Sequence, residues 1–240
     1  MTHLTQVTLD FATAARLGLR DCYDWHQKVW KAFPGRDGER RDFLTRLDQR
    51  REGFRLLIVS PTQPERPEWC PPDPESWKTK PIPETYFTRR RYAFQLCANP
   101  TKKVSKELPD GSLTKNGRRV PLGKREELVE WIERKGDQGG FTVDEATLRT
   151  FSRGREYFKK NGRDGLHTAV EFQGVLTVTD PDKFHETFTR GIGSAKAFGF
   201  GLLVIAPIAQ PRSITTERSR HETHRIAHPT ILPRLMLEPR

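Results

Sequence analysis

The chain has 240 residues, with 42 lysines and arginines against 31 aspartates and glutamates, and a net charge of +11. This length allows one or two domains with real cores, and no apolar run approaches the ~18 residues that a membrane span needs. Cys22, Cys70 and Cys97 lie far apart without metal-ligand spacing, which indicates reduced thiols rather than disulfides or a zinc site. No secretory signal pattern follows Met1. The sequence therefore predicts a cytoplasmic protein, and its charge points to a polyanionic partner.

The first half of the chain predicts the order strand, helix, strand, strand, helical turn, strand. These elements cover residues 3–11, 22–33, 42–50, 54–60, 68–70 and 76–82, with a helix as the alternative for the third. The first helix ends at Pro34-Gly35, and its apolar stripe at i, i+3, i+7 and i+11 is Cys22, Trp25, Val29 and Phe33. This βαββ(α)β order is the ferredoxin-like plan.

The same order recurs in the second half of the chain. Strands are expected at 86–98, 141–149, 170–178 and 199–207, a loop at 99–121, and helices at 124–135 and 180–190. The fold class is therefore predicted to be α+β, with two tandem ferredoxin-like (RRM-like, βαββαβ) domains at 1–85 and 86–210 that contain antiparallel sheets. Residues 211–240 are polar, basic and proline-punctuated, which predicts a poorly ordered tail.

The first candidate site is a pair of residues on the first helix. Tyr23 and His26 are neighbours at i, i+3 on the flank of the apolar stripe, so both side chains could point into a cleft while the stripe anchors the helix. The alternative is a Tyr and a His that pack their rings at a domain edge. Spacing alone favours that alternative, because no other catalytic group is identified by the sequence.

The second candidate is a glycine-rich loop between a helix and a strand. It contains Lys196 and four glycines: Gly191, Gly193, Gly199 and Gly201. The loop lacks the dinucleotide fingerprint and the G-K-[ST] of a P-loop, but free N–H groups together with Lys196 could bind phosphates. A helix C-cap followed by a tight turn is the alternative, although capping needs only one or two glycines.

The third candidate is a basic stretch, SRGREYFKKNGRDG, in which Asn161-Gly162 or Asp164-Gly165 suits a hairpin turn. Its cations are Arg153, Arg155, Lys159, Lys160 and Arg163. With Tyr157 and Phe158 interleaved, such a β-ribbon could enter an RNA groove or carry stacked bases. The alternative for any one cation is solvated surface charge, which explains the cluster less well.

The tail carries three histidines, His221, His224 and His228, at i, i+3 and i+7. Their segment, HETHRIAH, is not the HExxH of a zinc site, and the tail has no core to support one. We predict no metal site.

Four motifs together resemble one family: YDWHQKVWKAFP, FQLCANPTK, VEFQGVLTV and GIGSAKAFGFGLLVIAP. They resemble the CasE-type CRISPR repeat endoribonucleases, the RNA-processing subunits of type I-E Cascade. The resemblance covers about residues 1–208. It implies tandem ferredoxin-like domains, cleavage of precursor CRISPR RNA at the base of each repeat stem-loop, and retention of the mature guide's 3′ hairpin beside other Cascade subunits. Tyr23 and His26 match the family's catalytic Tyr and His, the loop 191–201 matches its glycine-rich loop, and 153–163 maps to its basic hairpin.

Physical chemistry then suggests a mechanism. RNA carries its own nucleophile, the 2′-OH, so cleavage needs alignment, a base, an acid and charge stabilisation but neither a metal nor a cofactor. Tyrosine is almost fully protonated at pH 7, whereas histidine populates both forms. We therefore expect His26 to protonate the 5′-oxygen leaving group and Tyr23 to orient the 2′-OH or the scissile phosphate, with 2′,3′-cyclic phosphate and 5′-OH products. Tyr23 acting as the base stays open as the alternative. Two other interpretations remain: a non-catalytic module that binds structured RNA, and a nucleotide-dependent enzyme that would rest on the glycine loop alone.

Overall fold

The computed structural model describes residues 1–36, 38–105, 112, 117–160 and 162–208. Its N-terminal part contains an antiparallel sheet of four strands in the order β2-β3-β1-β4. The strands are β1 (Thr2–Asp10), β2 (Leu44–Arg50), β3 (Gly53–Ser60) and β4 (Trp77–Ile82), and two helices follow β1, α1 (Phe11–Arg16) and α2 (Cys22–Trp30). The predicted strands and the predicted helix are present, although Phe11 begins α1 instead of ending β1.

The single turn predicted near 68–70 is present, as a hydrogen bond from the N–H of Cys70 to the carbonyl of Pro67 at 3.0 Å. A 3₁₀ turn follows at Pro74–Ser76, and the described residues 61–76 contain no α-helix. The reason is that residues 61–74 include six prolines, which lack the N–H that a helix needs. In the apolar stripe, Trp25 and Val29 are buried, but Cys22 is only half-buried and Phe33 packs from beyond the end of α2.

The second sheet has the order β11-β5-β10-β8, with β9 also paired to β10. Its strands are β5 (Arg91–Ala98), β8 (Phe141–Val143), β9 (Arg149–Lys160), β10 (Arg163–Val178) and β11 (Leu203–Pro207). The helices are α3 (Arg125–Gly139) and α4 (Pro181–Arg190), and β6 (Thr101–Val104) pairs with β7 (Arg118–Pro121) in a ribbon within the predicted loop.

Both sheets place the first and third strand of the repeat in the centre, β1 with β3 and β5 with β10. This is the ferredoxin-like arrangement, so the predicted α+β class with tandem ferredoxin-like domains is confirmed. The domain boundaries at 85 and 210 stay predictions, and the tail lies outside the described residues.

Three strands of the second half are shorter than predicted. One of them, expected at 199–207, is extended only at Leu203–Pro207, because Gly199 and Gly201 before it adopt positive φ. The predicted strand 86–98 begins only at Arg91, because residues 84–87 form a 3₁₀ turn held by tyrosine hydroxyls. Tyr86 donates to the carbonyl of Ile205 over 2.5 Å, and Tyr92 donates to the carbonyl of Tyr86 over 2.6 Å. Of the predicted strand 141–149, only Phe141–Val143 is extended before β9 begins.

The two sheets share one hydrophobic core. Leu44 and Leu57 of the first sheet lie in the same buried cluster as Trp131, Phe172 and Phe188 of the second half. The opposite face of the first sheet buries Val7 and Ile58 against α2. Because β2 and β3 are covered on both faces, the two halves are held against each other, and a cleft forms where α2 meets the second half. Among the described residues, no helix has the length and apolar character needed to cross a bilayer.

Candidate active site

Helix α2 is positioned by the aspartate that precedes it. One carboxylate oxygen of Asp21 accepts hydrogen bonds from the backbone N–H groups of Tyr23 and Asp24, at 2.8 and 2.9 Å, which caps the first turn. The other oxygen accepts from the backbone N–H of Lys159 on β9, at 3.2 Å. Asp21 therefore joins the helix that carries Tyr23 and His26 to the basic strand of the second half.

The imidazole of His26 is held by a neighbour one turn later. The indole Nε1 of Trp30 donates a 3.1 Å hydrogen bond to Nε2 of His26. Because an indole nitrogen only donates, Nε2 of His26 is the acceptor in this hydrogen bond. The ring also lies 6.2 Å from the ring of Phe43, centre to centre, which restricts its tilt.

His26 lines a cavity of about 150 Å³ between the two halves of the protein. From α2 the lining includes Cys22, Trp25, His26 and Val29. From the second half it includes Cys97, Arg153, Glu156 and the segment 198–200 of the glycine-rich loop. Tyr23 is half-buried one turn before His26 and is not part of this lining. The fold thus brings His26, the basic strand and the glycine-rich loop to one cleft, with Tyr23 beside it.

All four predicted glycines of the loop adopt positive φ: Gly191, Gly193, Gly199 and Gly201. Gly191 ends α4, and the N–H of Ile192 donates to the carbonyl of Gly201 at 2.8 Å, which closes the loop. A Cβ at Gly201 would lie 2.4 Å from the carbonyl oxygen of Ile192. The glycines therefore serve the backbone path, and that path places Phe198 and Phe200 at the cleft.

Lys196 faces away from His26. It lies at the start of a 3₁₀ turn, Lys196–Phe198, and its Nζ donates to the carbonyl of Arg190 at 2.7 Å. Its side chain lines a second, basic concavity, not the cleft of His26. The sequence places this lysine among the four glycines, but in the structure its side chain bonds to Arg190 and does not line the cleft of His26.

The basic hairpin is formed by β9 and β10, and its register pairs Lys160 with Arg163. Arg155 and Lys159 are exposed, as is Tyr157 at 65%. Phe158 instead stacks on His167 at 4.8 Å and contacts Phe198 at 4.2 Å, which fastens the glycine-rich loop to the hairpin. The side chains of Lys160 and Arg163, and residue Asn161, lie outside the described part of the chain.

Arg153, a predicted RNA-binding cation, is paired with carboxylates in the structure. Its guanidinium lies 3.4 Å from Asp48 and 3.3 Å from Glu171. The same two carboxylates bind the buried Arg46, at 3.0 Å each, and Asp48 also binds Arg55 at 2.5 Å. Burial alone would raise the pKa of the Asp48 carboxyl, but Arg46, Arg55 and Arg153 together hold it below its usual value. This ion network links β2 of the first sheet to β9 and β10 of the second.

The residues around the site differ in how well the sequence signals them. Trp30 can be recognised because it lies at i+4 from His26, and Asp21 because aspartate is a common N-cap residue. Asp48 and Glu171 give no such signal, because each looks like the solvent face of its strand. Glu156 is a further carboxyl at the cleft, and burial raises its pKa while Arg153 opposes the shift.

In the part of the chain that the structure covers, no group of three or more His, Cys, Asp or Glu side chains comes together as metal ligands would. The segment HETHRIAH lies outside that part.

Comparisons with known proteins agree on one family. A family model described as "CRISPR associated protein" matches residues 2–207. The chain is 33% identical over 199 residues to the CRISPR system Cascade subunit CasE of Escherichia coli K12, which covers 81% of this chain and 96% of that protein. It is also 33% identical over 221 residues to the CRISPR-associated endoribonuclease Cse3 of Thermus thermophilus, which covers 85% of this chain and 99% of that protein.

Solved structures give the same result. The crystal structure of Cas6e from Escherichia coli K-12 matches with a TM-score of 0.65 and 28% identity, over 87% of this chain and all of that one. A structure of the CRISPR endoribonuclease Cse3 bound to a 19-nucleotide RNA matches with a TM-score of 0.65 and 29% identity, over 86% of this chain and all of that one. The chain therefore belongs to the CRISPR-associated protein family, as a CasE-type member.

Proposed function

We propose that the protein is a metal-independent endoribonuclease that cuts CRISPR repeat RNA at the base of its stem-loop and stays bound to the 3′ hairpin within Cascade. The observation that carries this proposal is the cleft in which His26 faces β9 and the glycine-rich loop. The relatives support it, since one is named an endoribonuclease, one a Cascade subunit, and Cse3 has been solved with RNA bound. We place the activity in the cytoplasm, where this RNA is made.

Cleavage proceeds by attack of the 2′-OH on the adjacent phosphorus, which expels the 5′-oxygen and leaves a 2′,3′-cyclic phosphate and a 5′-OH. His26 supplies the proton to the leaving oxygen. Its Nε2 accepts from Trp30 before RNA binds, so protonation at Nε2 requires that the imidazole leave Trp30. Loss of that hydrogen bond and donation to the leaving oxygen are then coupled steps. Tyr23, on the same helix flank, orients the 2′-OH or the scissile phosphate, and the proton of the 2′-OH passes to solvent water or to Tyr23 acting as the base.

The exposed cations of the hairpin, Arg155 and Lys159, bind the RNA backbone together with Lys160 and Arg163. The glycine-rich loop carries its backbone close to the RNA through Gly191, Gly193, Gly199 and Gly201. Arg153 contributes positive charge at the cleft while its carboxylate partners hold it in place.

The test is incubation of the purified protein with its repeat RNA in EDTA. We expect one discrete cut, an upstream product whose 3′ end resists phosphatase until acid opens the cyclic phosphate, and loss of cutting in His26→Ala with hairpin affinity kept. Full-rate cutting by His26→Ala would contradict the catalytic assignment. Binding by the unaltered protein without any cut would instead support a non-catalytic RNA-binding module. The hydrogen bond that Nε2 of His26 accepts from Trp30 favours this alternative, because it holds that nitrogen away from RNA.

A further inference from the structure

A second concavity is lined in part by Phe43, whose ring also lies beside the ring of His26. It has a volume of about 820 Å³, and its basic lining residues are Arg40, Arg41, His185, Arg190 and Lys196. The guanidinium carbon of Arg41 lies 5.7 Å from the ring centre of Phe43, and that ring centre lies 6.2 Å from the ring centre of His26. Phe43, which also packs on Trp30 and Phe33, therefore lies next to both the basic concavity and His26.

The cations that form the basic concavity are held by backbone carbonyls. Lys196 donates to the carbonyl of Arg190 at 2.7 Å, and Arg41 donates to the carbonyl of Phe43. The acidic residue in the lining, Asp42, is already paired with Arg36 at 2.9 Å, and Arg190 pairs with the exposed Glu186 at 2.7 Å.

These cations also repel one another. Burial, and then the charges of Arg41, Lys135 and Arg190, lower the pKa of Lys196, and burial lowers the pKa of Arg41. Holding like charges together at partial burial is unfavourable unless an anion completes the site. The concavity thus has the electrostatics of an anion-binding site whose anion comes from outside the described chain.

We propose that this basic concavity binds the phosphates of single-stranded RNA that flanks the repeat stem-loop. The inference rests on the proposed function and extends it from the stem-loop to the strand beyond the cut. A rigid A-form duplex is recognised along its outer surface, whereas a flexible strand leaving the cleft at His26 can turn past Phe43 into the concavity. Phe43 itself is 1% exposed, so its ring is covered and the contacts fall on the sugar-phosphate backbone rather than on bases.

The experiment uses two forms of the repeat RNA, both with a 2′-deoxy nucleotide at the cut position so that cleavage cannot occur. One carries single-stranded flanks and the other is trimmed to the stem-loop. The variants are Arg41→Gln and Lys196→Gln, with Lys183→Gln at the opposite end of α4 as the matched control, since its side chain is 61% exposed and lies outside the lining. Lys196→Arg tests whether charge alone suffices.

We expect the two neutral variants to bind the flanked RNA about tenfold more weakly, with a salt slope smaller by about 0.7 for each lost phosphate contact. Binding of the trimmed stem-loop should equal that of the unaltered protein, Lys196→Arg should restore most of the affinity, and Lys183→Gln should change nothing. The effect should persist when the flank sequence is scrambled.

Equal losses on both RNAs, or no loss on the flanked RNA, would overturn the inference. The inference would also be overturned if these variants bound the flanked RNA normally but bound an acidic peptide more weakly. These failures are distinct from failure of the proposed function, because the unaltered protein is tested separately for cutting of the all-ribose repeat.

Discussion

The indole of Trp30 donates a 3.1 Å hydrogen bond to Nε2 of His26, one turn earlier on the same helix. The bond fixes the orientation of the imidazole and keeps its lone pair directed at Trp30. The residue proposed to deliver a proton therefore has its Nε2 engaged as a hydrogen-bond acceptor, in a cleft lined by both halves of the protein.

We predict that Trp30→Phe speeds cleavage up to about tenfold, because Nε2 of His26 no longer has to leave the indole before it donates its proton. RNA affinity should stay unchanged, so the effect appears in the single-turnover rate and not in the dissociation constant. Trp69→Phe is the matched control, since Trp69 also donates its indole N–H to α2, to the carbonyl of Lys28 at 3.0 Å. Slower cleavage in both variants would show that Trp30 acts only by supporting the helix.

Substitution of Asp21 separates the two roles of its carboxylate. Asp21→Ser keeps a side-chain oxygen for the helix cap but removes the acceptor for the N–H of Lys159, so it should unfold at nearly the same urea concentration. Amide exchange at Lys159 should become faster, and RNA should bind more weakly. Asp21→Ala loses the cap as well and should cost about 1 kcal/mol more. Unchanged exchange at Lys159 in both variants would contradict the proposed coupling of α2 to β9.

The buried ion network predicts a pH-dependent stability. The folded state lowers the pKa of Asp48, so this carboxylate stabilises the protein above its usual pKa, and the contribution is lost as the pH falls through the lowered value. Asp48→Asn should therefore cost about 3 kcal/mol at pH 7, and the difference from the unaltered protein should shrink below about pH 4. Urea unfolding at several pH values measures this. A difference that stays constant down to pH 3 would mean that Asp48 does not titrate as described.

Gly201 and Gly18 provide a matched pair of glycine substitutions. Both have positive φ, but a Cβ at Gly201 would meet the carbonyl oxygen of Ile192 at 2.4 Å, whereas none of the described atoms lies within 4 Å of a Cβ at Gly18. Gly18→Ala should cost about 1 kcal/mol of backbone strain. Gly201→Ala should cost more and should also reduce cleavage, because the loop that places Phe198 and Phe200 must shift. Thermal unfolding of both variants measures the loss of stability. Equal losses in Gly18→Ala and Gly201→Ala would show that the loop accommodates the methyl group at 201.

The basic strand should contribute unequally to RNA binding. Lys159 is exposed, whereas Arg153 is paired with Asp48 and Glu171. Lys159→Gln should weaken RNA binding and reduce the salt slope by about one unit with little change in stability. Arg153→Gln should lower stability more than it lowers the salt slope. An unchanged salt slope in Lys159→Gln would remove this part of β9 from the interface.

Much of the fold follows from local patterns. The alternation in VEFQGVLTV, the helical spacing of Trp25 and Val29, and the Asp180-Pro181 start of α4 each depend on neighbours within a few residues. The errors arise where long-range contacts decide. Residues 84–87 form a 3₁₀ turn because the hydroxyl of Tyr86 reaches Ile205, which lies 119 positions later.

Local patterns in the sequence predict the repeated ferredoxin-like order, the adjacency of Tyr23 and His26 on one helix, and the glycines of the loop, because periodicity, helical spacing and backbone conformation are local properties. What each side chain faces depends instead on tertiary contacts. Packing turns Lys196 away from His26 and buries Arg46 against Glu171, 125 positions away. The physical reason is that the environment of a sheet face or a loop is set by the element that packs on it, and that element comes from the other half of the chain. The cations behind the net charge of +11 are thus of two kinds. Some, such as Arg46, bind carboxylates inside the protein, and others are exposed and, in our proposal, bind RNA.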